Sequence, residues 1–110
     1  MSELPEIIPI LGIDHKIVEF SGSDPMNSGS YYGAIKSSEG IILVGSEFSH
    51  SRRQETLLHE VVHAIDHAFH DDDAGESLSE GQVKRISRGF HAVMRENPQV
   101  AEFLFGSEEI

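Results

Sequence analysis

Two histidines and a glutamate near the middle of the chain, His59-Glu60-Val61-Val62-His63, have the types and spacing for metal chemistry. Side chains four residues apart on a helix project from one face, so the two imidazoles can grip a single ion. Glu60 sits about 100° around the helix from His59, outside that grip. From there it reaches a water on the ion rather than the ion itself. Two ligands beside a base form an arrangement that activates water for attack on a carbonyl. The plainer alternative is a pair of structural histidines satisfied by hydrogen bonds. It would leave two imidazoles and a carboxylate beside an apolar stripe, at a cost in desolvation.

A catalytic zinc takes three protein ligands and keeps a fourth position for water. Asp66 and His70 follow on the same side of the helix, within about 20° of His59, but about 10 Å or more along it. Neither reaches an ion held by His59 and His63 without a break in the helix. Asp66 suits a supporting role, accepting the second ring N–H of a ligand histidine. The third ligand must then come from the next element, where Glu76 and Glu80 are the nearest carboxylates. Glu80 falls in line with Val83, Phe90 and Met94 at helical spacing, so it faces inward with the apolar side. That makes Glu80 the first choice and Glu76 the competitor. Glu80 also has a structural explanation, since Ser77-Leu78-Ser79-Glu80 reads as a capping box. Ser79-Glu80-Gly81-Gln82 offers the other register, with Ser79 as cap, Gln82 closing the box and Glu80 free.

Other polar residues carry less. Asp71-Asp72-Asp73-Ala74-Gly75 lacks the acidic spacing and closing glutamate of a calcium loop and reads as a solvated turn. His91 lies about 16 Å along the helix from Glu80, beyond ligand reach, and is better explained as a packed histidine. Tyr31 and Tyr32 are candidate donors to a developing oxyanion, against a simpler role as strand aromatics.

These residues need elements to position them. Ile7 to Leu11 is apolar around Pro9, and Lys16 to Phe20 alternates in part, as a first strand does. Ser21 to Ser30 is a loop by composition. Tyr31 to Lys36 and Gly40 to Val44 read as two strands joined through Ser37-Ser38-Glu39-Gly40. Ser51-Arg52-Arg53-Gln54 fits a capping box, opening a helix that runs to about Phe69 with Leu57, Leu58, Val61, Val62 and Ile65 along one face. A second helix begins near Ser79, bears Val83, Ile86, Phe90, Val93 and Met94 at helical spacing, and stops at Asn97-Pro98. That pair opens a short last helix through Phe105, closed by Gly106. Strands first and helices second predict an α+β fold, with helices on one face of a short sheet of about three strands.

The 110 residues allow one domain, 1–110, and one modest core. With no cysteine, a metal site must use His, Asp or Glu, and disulfides are excluded. Cysteine usage suits a reducing cytoplasm. The acidic start lacks the pattern of a signal peptide. The longest aliphatic run, Ile41-Ile42-Leu43-Val44, is far short of the ~20 residues a membrane span needs. A formal charge of −11 repels phosphate backbones, which argues against direct nucleic-acid binding. It leans toward a basic partner or simply toward solubility.

The stretch from Thr56 through Ile65 resembles the extended zincin signature. Together with Leu78-Ser79-Glu80 to Val83 and Arg88-Gly89-Phe90-His91-Ala92-Val93-Met94-Arg95-Glu96-Asn97-Pro98, it is similar to small phage and prophage proteins grouped with the ImmA/IrrE-like metallopeptidases. The likeness spans about residues 40–98. It implies a minimal zincin, with a short sheet, an active-site helix and a following helix that donates a glutamate. It carries metal-ligand roles onto His59, His63 and Glu80, and the base role onto Glu60. The chain departs from fuller members in lacking a Glu-Ala-Asn-type helix pattern and any DNA-binding or sensor domain. Phe69 stands where metzincins place a third histidine, which excludes that branch.

The expected function is therefore zinc-dependent peptide hydrolysis, with a protein or peptide as substrate. Zn2+ on His59, His63 and Glu80 would polarise the scissile carbonyl and acidify water, and Glu60 would carry the proton to the leaving amine. The strand Ile41 to Val44 is the expected surface for binding peptide by strand addition. The rival expectation is a catalytically silent zinc-binding module that captures a host protein.

Overall fold

Leu11 and Gly12 both take positive φ, 51° and 86°, and reverse the chain between β1 (Ile7–Ile10) and β2 (Ile13–Phe20). Two such residues match the right-handed twist of the flanking strands, which is why a two-residue loop closes this hairpin. The computed structural model describes residues 4–21, 32–69 and 77–106. Within them the fold is α+β, a four-stranded sheet with three helices. The sheet has one strand more than the sequence suggests. Pro9 argues against a strand from sequence, but β1 lies at the sheet edge, where a missing N–H is tolerated.

β3 (Gly33–Lys36) and β4 (Ile41–Gly45) form the expected antiparallel hairpin, turned through a 3-10 segment at Ser37–Glu39 and a left-handed Gly40. Strand order is β1-β2-β4-β3, with β2 and β4 parallel. A central strand carries more apolar character than an edge strand, and β4 buries Ile42 and Val44 completely and Leu43 nearly so. Ile10, Ile17, Ile42 and Val44 form the core with Ala64 of α1 (His50–Phe69), and Leu57 and Val61 pack against it. Truncating Ile42 to alanine here would cost about 2–5 kcal/mol.

Ser49 opens α1. Its hydroxyl accepts from the Arg52 N–H at 3.2 Å and its carbonyl from the Arg53 N–H at 2.9 Å. The expected Ser51–Gln54 box does not form: both residues lie inside the helix and bond across to α2 (Glu80–Glu96). The box at α2 forms as read, with Ser79 accepting from Gln82 N–H and Gln82 accepting from Ser79 N–H. Asn97 closes α2, donating to Val93 O from its backbone and its side chain, and Pro98 starts α3 (Pro98–Phe105). No helix among the described residues is long and apolar enough to cross a membrane.

Candidate metal centre

The apolar residues of α1 fix its rotation on the sheet, and that rotation decides where the motif points. With Leu57, Val61 and Ala64 against the core, His59 and His63 turn toward α2, their rings 4.9 Å apart. Glu80, the first residue of α2, spans both: one carboxylate oxygen lies 2.8 Å from His59 Nε2 and the other 2.8 Å from His63 Nε2. His59, His63 and Glu80 therefore present three ligand atoms within 4.8 Å of one another, a group that could hold a metal ion. Ligands at ~2.0–2.1 Å in a tetrahedral site stand roughly 3.3 Å apart, so this spread needs only small adjustment.

Glu80 reaches the histidines as its spacing suggests, but not by being buried. Its side chain is 62% exposed, at the rim between the helices. The capping explanation for Glu80 falls, because Ser77 is engaged elsewhere and Ser79–Gln82 forms the box. Glu76, the competing carboxylate, lies outside the described residues, as do His70, Asp71 to Asp73 and Tyr31.

Asp66 supports the site by another route than expected. It accepts from Ser77 Oγ at 3.0 Å and from the Leu78 N–H at 3.2 Å, fastening the chain just before Glu80. It thus positions the third carboxylate rather than a histidine ring. The sequence held a signal for this, a carboxylate one turn past His63 facing a serine-rich helix start. His91, expected as a packed histidine, is half-buried and reaches across to α1, its Nε2 3.2 Å from Gln54 Oε1.

Glu60 is the chemically unusual member. It is only 3% exposed and sits where α1 meets β3. A Cβ on Gly33 would fall 2.5 Å from Thr56 Cγ2 and 3.6 Å from Glu60 Oε2, so a glycine is what lets strand and helix approach this closely. Burial, and then the negative charge of Glu80, push the Glu60 carboxyl up to about 8. Burial is also the main reason that His59 is held below the ordinary histidine value, with the charges of His63 and Lys84 adding and Glu80 opposing. A neutral imidazole is the form that binds metal. For Glu80 burial works to raise the pKa, but hydrogen bonds and charge from His63 and His59 outweigh it and hold the carboxyl low.

A cleft opens from this group between α1 and α2, lined on α1 by Arg52, Glu55, Thr56, His59 and Glu60 and on α2 by Glu80, Lys84, Ser87 and Arg88. Tyr32 closes its sheet end, with the Arg52 guanidinium 4.3 Å from the ring centre. The expected peptide-binding strand, Ile41 to Val44, cannot serve. It is β4, paired on both sides by β2 and β3. Of the two edge strands, β1 and β3, β3 is the one beside Glu60. No family model, curated protein or solved structure matches this chain.

Proposed function

We propose that this chain is a zinc-dependent peptidase of minimal zincin type, akin to the ImmA/IrrE-like proteins its motifs resemble. The observation that supports this most is Glu60, a buried carboxyl group with no ion pair among the described residues, set beside a His-His-Glu ligand group. A purely structural site closes its coordination and has no use for such a base.

His59, His63 and Glu80 would hold the ion, two imidazoles and a carboxylate being a donor set that zinc accepts. Zinc supplies Lewis-acid polarisation of the carbonyl and acidification of water when bound. Glu60 takes the proton from that water and passes it to the departing amine. Its burial keeps bulk solvent from competing for that proton. β3 binds the peptide backbone along its outer side, bringing the scissile bond past Gly33 toward Glu60.

The non-catalytic reading has one observation in its favour. Ile86, Phe90 and Val93 on α2, and Phe103, Leu104 and Phe105 on α3, leave large apolar side chains exposed, as a binding module would. Glu60→Gln separates the readings. The variant should keep its zinc and lose all proteolysis, since Glu60 acts on water and not on the metal. Loss of zinc as complete as in His59→Ala would show that base and ligand are wrongly assigned. A wild-type protein that binds zinc and cleaves nothing in a broad peptide library favours the silent module.

A further inference from the structure

Charge on this molecule is distributed against its overall sign. The chain carries 19 acidic and 8 basic residues. Yet Arg52, Lys84 and Arg88, three of those eight, line the cleft that leads from the ligand group. Helical spacing explains the α2 members: Glu80, Lys84 and Arg88 repeat every four residues and share a face. The acidic side chains of the cleft are already engaged. Glu55 pairs with Arg88 at 3.3 Å, and Glu80 is taken by His59 and His63. Glu60 lies buried at the cleft floor. Among the described residues neither Lys84 nor Arg52 makes an ion pair, and the Arg52 guanidinium lies over the Tyr32 ring. Two cations thus face a narrow space without a carboxylate of their own.

We infer that the cleft selects peptides carrying an acidic side chain close to the bond to be cut, with Lys84 and Arg52 as the residues that read it. The inference rests on the peptidase reading and adds the substrate class. Lys84 stands one turn from Glu80, about 6 Å along α2. An extended peptide advances about 3.3 Å per residue. A carboxylate two to three residues from the scissile bond therefore falls within reach of the ammonium. The long-range field of a −11 chain slows the approach of an acidic peptide, and the local pair offsets this only in the cleft, so selection acts on position rather than on net charge. This reverses the leaning toward basic partners that composition alone suggests.

The test uses two pools of fluorescent hexapeptides, identical except for glutamate or glutamine fixed at a central position. Affinity is measured by anisotropy on the full chain bearing Glu60→Gln, which prevents turnover, with and without added zinc and with zinc content determined in each sample. The glutamate pool should bind at least about fivefold more tightly at low salt, and Lys84→Ala should abolish that difference while leaving the glutamine pool unchanged. Arg85→Ala, an equal change of net charge outside the cleft, should keep the preference. Equal binding of the two pools overturns the inference, as does an Arg85→Ala effect as large as that of Lys84→Ala. Loss of both pools together in Lys84→Ala also overturns it, since the lysine then serves binding in general. A single-stranded oligonucleotide that binds through Lys84 more tightly than either pool would transfer the cleft to a different ligand class. A protein that takes no zinc but discriminates the pools keeps the acid-selecting cleft and loses the peptidase. One that takes zinc without discriminating does the reverse.

Discussion

α1 and α2 supply the same ligand group from unequal footings. α1 is seated on the sheet: Ala64 belongs to the core, Leu57 and Val61 pack against it, and Thr56 and Glu60 are buried. α2 buries only Val83 and Ser87, while Ile86, Phe90 and Val93 remain 47%, 41% and 47% exposed. What joins it to α1 is largely polar: Arg88 to Glu55, His91 to Gln54 and Arg95 to Ser51. Exposed pairs of this kind contribute about 0–1 kcal/mol each. The well-seated helix thus presents His59, Glu60 and His63, and the weakly held helix brings Glu80 to them. An ion at the junction would act as the missing clamp, because binding only to the assembled state stabilises that state.

The largest expected effect comes from breaking the rigid half of the group. His63→Ala should lower zinc affinity by more than about a hundredfold, or ~2.7 kcal/mol, in a competitive titration. The sheet should be untouched, because the His63 side chain contributes nothing to the core. Breaking the less well seated half should cost less. Glu80→Gln, which keeps size and hydrogen bonding, should weaken zinc by at least about tenfold, or ~1.4 kcal/mol. Glu76→Gln serves as the internal control. A large loss there with no change at Glu80 would move the third ligand into the preceding segment.

The smallest effect, and the sharpest on the comparison itself, is in hydrogen exchange. Adding zinc should slow exchange through the first turns of α2 by at least about tenfold. The β4 amides, already protected by the core, should change little. Uniform protection across both helices would mean that they are equally well seated and that the contrast drawn between them is wrong.

The residues of the site were legible because helical spacing is a local property. His59, Glu60 and His63 follow from the periodicity of one helix, whereas two capping registers stood open at Glu80 and the structure takes the one from Ser79 to Gln82. What sequence could not give depends on neighbours. Strand order is not encoded in alternation, so β4 looked like a candidate edge and proved to be central. Ser49 and Ser51, two residues apart, each suit a cap, and the helix opens on Ser49. Pro9 masked a strand whose edge position makes it harmless. Asp66 found a partner in the segment before α2, and the basic lining of the cleft exists only because two helices meet. The apolar repeat of α2 read as a core face. It is in good part a surface.

The most direct test of the whole account is the zinc content of the wild-type protein purified without added metal, followed by titration of whatever is not already filled. A site made of His59, His63 and Glu80 predicts about one zinc per chain at saturation. Less than about a tenth of that, with no further uptake on titration, would contradict the metal centre and leave Glu80 bridging two histidines as a purely structural contact.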